Sequence, residues 1–349
     1  MIVDLTDTNA GKIASAMVQL RHQAGAPTVG MVMTLVIVAD EHEHYDAMKA
    51  ALEAAHEHPS RILVVVPRPG RGKPRVDAEV RYGGDAGPGE TVVMRLHGPL
   101  ADHAASVVLP LLLPDAPVMV WWPGKGPDTP SADKIGRLAQ RRVTDAAARR
   151  SPDQALDIRA DGYQGGDTDL SWTRITGWRT LLAALFDQPY ARITGGEILA
   201  ERSSPSGELL ARWLEMRLKV PVERKSSRGP GISGVRLHTV DGAMSVLRPD
   251  GRTAVLEQPG QPDRHIALFR RSTSEAIAEE MRRLDEDEVY GEVLRHTHRP
   301  PPVPKPRLRS VRATRAKVTN KSASKSAEKA AKTTTTPSKA ASRRRAPKA

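Results

Sequence analysis

Cysteine is absent from the 349-residue chain, which excludes disulfides, thiolate metal sites and cysteine nucleophiles. Aromatic residues are scarce, with five Trp, five Tyr and two Phe. No apolar run is long enough for a membrane span of roughly 20 residues. The longest, Ala104 to Trp122, is interrupted by Pro110, Pro114, Asp115 and Pro117. Met1-Ile2-Val3-Asp4 has neither a charged n-region nor an apolar h-region. No secretory signal is visible, and the expectation is a soluble cytoplasmic protein.

Reactive motifs are missing as well. No G-x-S-x-G elbow sets a serine on a strand-to-helix turn. Gly70-Arg-Gly-Lys73 and Gly124-Lys-Gly126 are basic glycine loops without the P-loop pattern. Gly229-Pro-Gly-Ile-Ser-Gly234 spells G-x-G-x-x-G, but Val235 to Val240 continues as a strand, where phosphate binding needs a helix. His42, His44, His56 and His58 do not form HExxH. At 1.5 Å per residue His42 and His56 lie about 21 Å apart on a helix, and a solvated polar face is expected. Leu284-Asp-Glu-Asp-Glu-Val289 reads as a solvated acidic helix end. Neither a catalytic residue nor a cofactor or metal site is assigned.

What is present is unevenly distributed. Residues 299–349 hold 16 Lys and Arg against the single acid Glu328, which leaves 37 basic and 40 acidic side chains, a net of -3, before residue 299. The Pro-rich start of this tail, Arg299 to Pro306, and its lack of apolar residues predict disorder. It suits either weak, unspecific nucleic-acid binding or a solubilising extension. Separated cations release counterions, but no aromatic is there to stack on bases.

Periodicity divides the rest in two. Lys12 to His22 reads as a helix with a stripe of Ile13, Met17, Val18 and Leu20, stopped at Gly25-Ala26-Pro27. Thr28 to Ala39 and Arg61 to Val66 read as strands covered on both faces. They flank a helix over 41–57, capped by Asp40, with Tyr45, Met48, Leu52 and Ala55 on one side. Strand, helix, strand predicts a parallel pair. Arg75 to Tyr82 and Thr91 to His97 alternate as a hairpin joined through Gly83 to Gly89. Helices are expected at 100–112 and 131–140, with a short strand at 142–144. The fold class is therefore an α/β domain with a mixed sheet, residues 1–188, followed by an α+β domain, residues 189–298, and the basic tail. In the second domain a strand at 193–201 and a helix at 206–218 precede an antiparallel meander through residue 269. A helix from Ser274 to Leu284, capped by Ser272 or Thr273, is expected to cover that meander.

Four of the five tryptophans fall between residues 121 and 178. Val118 to Trp122 is a strand closed by Pro123 and Gly124, so Trp121 and Trp122 point to opposite sides of its sheet. Each indole is a core residue or a partner anchor, and both roles can coexist. Further along, Asp169 or Thr176 caps a helix whose stripe is Ile175, Trp178, Leu181, Leu182 and Leu185, expected to pack across the first domain.

Three stretches, Pro114 to Gly124, Asp169 to Arg179 and Gly242 to Gly260, together resemble the glucose-6-phosphate dehydrogenase assembly protein family, OpcA, in its actinobacterial form. The resemblance covers nearly all of residues 1–298. It implies a non-enzymatic factor that binds and activates the dehydrogenase opening the oxidative pentose phosphate pathway, with no catalytic motif to carry over. Photosynthetic relatives have been linked with thiol redox control, a chemistry this cysteine-free chain cannot use directly. Trp and Arg dominate interface hot spots, so Trp121, Trp122, Trp172, Arg174, Trp178 and Arg179 are the partner-binding candidates. The competing reading, motivated by the α/β pattern and the basic glycine loops, is a sugar-phosphate or nucleotide-binding α/β enzyme using the strand ends of the first domain.

Overall fold

Continuous apolar runs make the centre of the molecule. In the computed structural model, which describes residues 1–25, 30–83, 89–187 and 190–296, β2 (Met33–Val38) and β3 (Ser60–Arg68) lie parallel, with Met33 opposite Ser60 and Val38 opposite Val65. The α-helix between them, His44–Ala55, is α2. It follows β1 (Ile2–Thr8) and α1 (Ala10–Gln23). The hairpin expected at 75–97 is β4 (Arg75–Tyr82) and β5 (Glu90–His97), antiparallel throughout; its connection at residues 84–88 lies outside the described residues, as do Ala26 and Pro27. After α3 (Ala104–Val108) come β6 (Val118–Trp121) and β7 (Arg141–Thr144). Next in the chain are α4 (Pro152–Asp161) and β8 (Asp167–Asp169). The strands form one eight-stranded sheet in the order β1-β4-β5-β3-β2-β6-β7-β8. Its six strands from β5 to β8 are parallel, β4 is antiparallel to them, and β1 closes the edge.

Two apolar layers sandwich this sheet. One holds Ile13, Met17 and Leu20 of α1 with Val36, Val120 and Trp122. The other holds Met48 and Ala51 of α2 with Leu35, Ile37 and Trp121. The two neighbouring indoles thus enter opposite cores, at 1% and 4% exposure. Trp122 stays on the ladder, its N–H donating to Val143 O at 2.9 Å.

The second sheet forms on the later strands. α5 (Leu170–Thr173) and α6 (Thr176–Leu185) lead into β9 (Ile193–Ala200) and α7 (Pro205–Leu218). Then follow β10 (Val222–Ser226), β11 (Ile232–Thr239), β12 (Gly242–Leu247), β13 (Thr253–Glu257) and β14 (Arg264–Ala267). Their order is β10-β9-β11-β12-β13-β14, antiparallel except for the β10-β9 pair. Leu209, Leu210, Trp213 and Leu214 of α7 cover it, and Gly207 permits the approach, since a Cβ there would stand 2.8 Å from that of Ala200. Two helices, α8 (Thr273–Arg282) and α9 (Glu288–Arg295), end the described chain. The α/β mixed sheet followed by an antiparallel α+β part is the fold class expected.

Several local expectations are corrected. The 100–112 helix keeps only α3, flanked by 3-10 turns at Gly98–His103 and Leu109–Leu111. Residues 131–140 hold 3-10 turns at Pro130–Ala132 and Gly136–Leu138 in place of a helix. The faces of α1 and α2 keep the expected Ile13, Met17, Leu20, Met48 and Ala55 and differ at single residues. Val18 and Tyr45 are exposed, while Ala16, His44, Ala47 and Ala51 are buried. Asp40 stabilises the turn before α2, accepting from the N–H groups of His42 and Glu43, but Glu43 is the cap residue. The stripe of Trp178, Leu182 and Leu185 enters the core of the second sheet.

Conversely α8 does not cover the meander. Its Ala276, Ile277 and Met281 pack with Met33, Met48 and Trp121 against the first sheet. Ser272 is its cap, accepting from Glu275 N–H at 3.2 Å while its own N–H donates to Glu275 Oε2 at 2.7 Å. Ser272→Ala is expected to lower stability by about 1 kcal/mol in urea unfolding; an unchanged midpoint would show that packing alone holds the turn. Residues 299–349, with the disorder and nucleic-acid binding expected of them, lie outside the described residues.

Candidate functional site

The stretch from Asp169 to Arg179 is fixed by buried charge. Asp169, fully buried at the end of β8, accepts from Ser171 N–H at 2.9 Å and so caps α5. The same carboxylate accepts from Thr144 Oγ1 at 2.8 Å, from Ala146 N–H at 2.9 Å and from Arg159 Nη1 at 2.6 Å. One side chain therefore joins β7, the turn after it, α4 and α5. Two strand positions away, Arg142 pairs with Asp167. Burial nevertheless raises the Asp167 carboxyl above its ordinary value, because desolvation outweighs the hydrogen bond from Arg142. On the other side Arg141 reaches Glu280 of α8 at 2.5 Å, both side chains 4% exposed, and Thr173 donates to the same carboxylate.

So anchored, α5 and α6 form a wall between two cavities. The larger, about 650 Å³, is lined by Trp172, Thr176 and Arg179 of the wall, by Glu279 and Arg283, and by Asp285 to Val289. Trp172 Nε1 donates to Asp287 Oδ2 at 2.7 Å, and the Arg179 guanidinium lies 3.6 Å above the centre of the Trp172 ring. Arg179 donates to Thr176 Oγ1 at 3.2 Å, while its buried Nε has no partner. Burial pulls its pKa down to about 10, with Arg271 and Arg283 acting the same way and Asp287 and Glu280 opposing. It is a partly buried cation, stacked on an indole and short of a carboxylate. The smaller cavity, about 260 Å³, is lined by Arg174 and Trp178 of the wall with Glu201, Ser203 to Ser206, Arg248, Arg270 and Arg271. Arg174 is committed to Asp145 through two hydrogen bonds of 2.8 and 2.6 Å.

The six candidates from sequence thus separate. Trp172 and Arg179 meet at one cavity, Arg174 and Trp178 border the other, and Trp121 and Trp122 line neither. In the acidic run at 284–289, Asp285, Glu286 and Glu288 are exposed, as expected of a solvated helix end, and Asp287 is half-buried. The Asp285 carbonyl accepts from Arg141 at 2.9 Å, Glu286 accepts from Tyr163 Oη at 3.3 Å, and Asp287 caps α9 besides holding Trp172. Sequence reasoning missed Arg248, whose Arg-Pro-Asp-Gly context signals only a turn. His44 is fully buried, with Nδ1 2.9 Å from Glu41 O, and departs from the solvated face expected of the four histidines. Among the described residues no group of three or more His, Asp or Glu could hold a metal ion, and no helix is long and apolar enough to cross a membrane. Of the glycine loops, Gly124 abuts the Glu43 carboxylate, so a phosphate there would meet like charge.

Comparison with known proteins places this geometry. Residues 51–161 match the model for a glucose-6-phosphate dehydrogenase subunit N-terminal domain, and residues 165–294 match its C-terminal domain. A Synechocystis protein described as OxPP cycle protein OpcA is 28% identical over 116 residues, 31% of this chain; the match spans about a quarter (24%) of that relative's length. Among solved structures, KijD10, a 3-ketoreductase from Actinomadura kijaniata in complex with TDP-benzene and NADP, superposes with a TM-score of 0.44 at 10% identity, covering 76% of this chain and 94% of that one. An oxidoreductase from Sinorhizobium meliloti gives 0.39 at 9% identity, covering 75% and 86%. Likeness this low carries no activity across. The two domain matches lie in order along the folded chain, and the chain belongs to the OpcA family of glucose-6-phosphate dehydrogenase assembly proteins.

Proposed function

We propose that this chain is a non-catalytic assembly factor and allosteric activator of glucose-6-phosphate dehydrogenase, acting in the cytoplasm at the entry to the oxidative pentose phosphate pathway. The observation that carries the reading is the family match across residues 51–161 and 165–294. Binding alone does not activate. The chain must hold the active state of the dehydrogenase more tightly than the inactive one, because equal affinity shifts nothing. A hundredfold shift needs about 2.7 kcal/mol of differential affinity, within reach of one or two desolvated Arg or Trp anchors.

The larger cavity offers such an anchor. Arg179 is partly buried and stacked on Trp172, so a partner group entering there would find a prepared cation, in a cavity that Glu279, Glu280 and Asp285 to Glu288 also line. Trp121 and Trp122 serve the two cores of the first sheet, and the proposal places no contact on them. Mixing the chain with the dehydrogenase at micromolar concentration is expected to give one larger species in a sizing measurement. Separate elution of the two proteins across that range would contradict the proposal.

A further inference from the structure

We propose that the smaller cavity, between the start of α7 and Arg248, is a binding site for a small phosphorylated anion, either phosphate itself or a phosphomonoester. Its lining carries four arginines, Arg174, Arg248, Arg270 and Arg271, against the single carboxylate of Glu201. Two of the four are neutralised from outside the lining, Arg174 by Asp145 and Arg271 by Glu279. Glu201 is occupied, accepting from Gly231 N–H at 2.7 Å. Glu201 keeps its negative charge, so the two cations of Arg248 and Arg270 leave the lining a net charge of +1.

Arg248 is the unusual member. It is only 6% exposed, yet among the described residues no carboxylate lies within ion-pair distance of it. Two backbone carbonyls hold its fork, Leu268 O at 3.1 Å from Nη1 and Ile232 O at 2.9 Å from Nη2. Its plane lies 4.9 Å from the centre of the Trp178 ring, and its buried Nε has no partner. Dipoles and an indole orient this guanidinium without neutralising it. Arg270 is exposed beside it and borders Gly231, where an added Cβ would come 2.6 Å from Arg270 Nη2. Burial and the charge of Arg270 both pull the pKa of Arg248 down, while Asp250 opposes them. Two like charges are therefore held together beside open space, an arrangement that an anion relieves.

The helix adds to the same field. α7 runs for 14 residues from Pro205, and Ser203 to Ser206 at its start line this cavity. Its N-terminal end carries partial positive charge and favours an anion. Arginine forks match the oxygens of a phosphoryl group, while Ser206 Oγ is committed to Ser171 O at 2.9 Å and Ser204 Oγ accepts from Gly207 N–H at 3.1 Å. The volume, about 260 Å³, lies below the roughly 300 Å³ at which pockets for drug-sized ligands begin. It suits a phosphate or a single phosphorylated sugar and is too small for a dinucleotide. The site needs no contact with a dehydrogenase, so its existence does not depend on the proposed function.

Titration calorimetry on the full chain in phosphate-free buffer tests the proposal, with inorganic phosphate in one arm and a hexose phosphate in the other. One saturable site is expected, together with a rise in Tm that grows with ligand concentration. Arg270→Ala removes an exposed side chain that makes no ion pair among the described residues, leaves the fold intact, and is expected to weaken binding at least tenfold. Arg248→Gln is expected to abolish it. The cations of residues 299–349 are the same in every variant, so their contribution cancels in the comparison. Tighter binding of the hexose phosphate would identify the site as one for phosphomonoesters, and tighter binding of inorganic phosphate as one for the free ion. Absence of saturable binding in both arms, or equal affinity in wild type and Arg270→Ala, would overturn the assignment.

Discussion

Asp169→Ala is expected to cost the fold about 3–5 kcal/mol, because it breaks a buried ion pair on one side only. The carboxylate is fully buried and accepts from Arg159, Thr144, Ala146 and Ser171. Its loss leaves Arg159, 5% exposed and already with an unpartnered Nη2, as a bare cation between β8 and α4. A buried charge without a partner is among the costliest defects a fold can carry. Adding Arg159→Met to the alanine variant removes that charge and is expected to restore part of the loss. Urea unfolding followed by tryptophan fluorescence measures both, with Trp172 three residues from the substitution as a reporter. A loss below about 1 kcal/mol for the single variant would show that water enters and replaces the carboxylate.

Arg179→Met is expected to separate stability from association. In the free chain the guanidinium is partly buried and its Nε unsatisfied, so exchanging it for an apolar side chain of similar length is expected to leave stability unchanged or raise it. Stacking on Trp172 is retained in part by the methionine sulfur. Affinity for the dehydrogenase, by contrast, is expected to fall by about 2–4 kcal/mol, roughly 30-fold to 1000-fold, the range of a central arginine anchor. Calorimetry of the complex beside urea unfolding of the free variant reads both quantities. Unchanged affinity together with reduced stability would make Arg179 a structural residue and remove the larger cavity from the contact surface.

How far the sequence discloses this arrangement depends on how local each interaction is. The apolar runs behind β2 and β3 announce buried strands without any tertiary knowledge, and the alternation at 75–97 announces the hairpin. β1 escapes notice because Ile-Val-Asp-Leu-Thr-Asp-Thr is a polar edge strand, half-exposed along its length, with weak patterning. Residues 131–140 form only 3-10 turns, the first opened by Pro130 at a position where proline is tolerated. The cap at Ser272 and the apolar face of α8 are both legible, but an amphipathic face does not say which sheet it will meet. α8 crosses back to Met33 and Trp121 because Glu280 finds Arg141 there.

The same limit governs the site. Asp169 is recognisable as a cap from its neighbours, whereas its pairing with Arg159 joins two separate elements. Trp172 and Arg179 stand out by residue type, yet their stacking is set by the turn between α5 and α6. Trp121 and Trp122 stand out equally and prove to be core. Abundance of tryptophan marks places that exclude water, and only the packing distinguishes an interior from a surface prepared for a partner.

Initial rates of glucose-6-phosphate dehydrogenase, measured over a titration with this chain, test the central claim most directly. A saturable rise in rate is expected, half-complete at the concentration where the complex forms, with no oxidation of substrate by the chain alone. A rate that stays flat through saturation of binding, or turnover by the chain in the absence of the dehydrogenase, would contradict it.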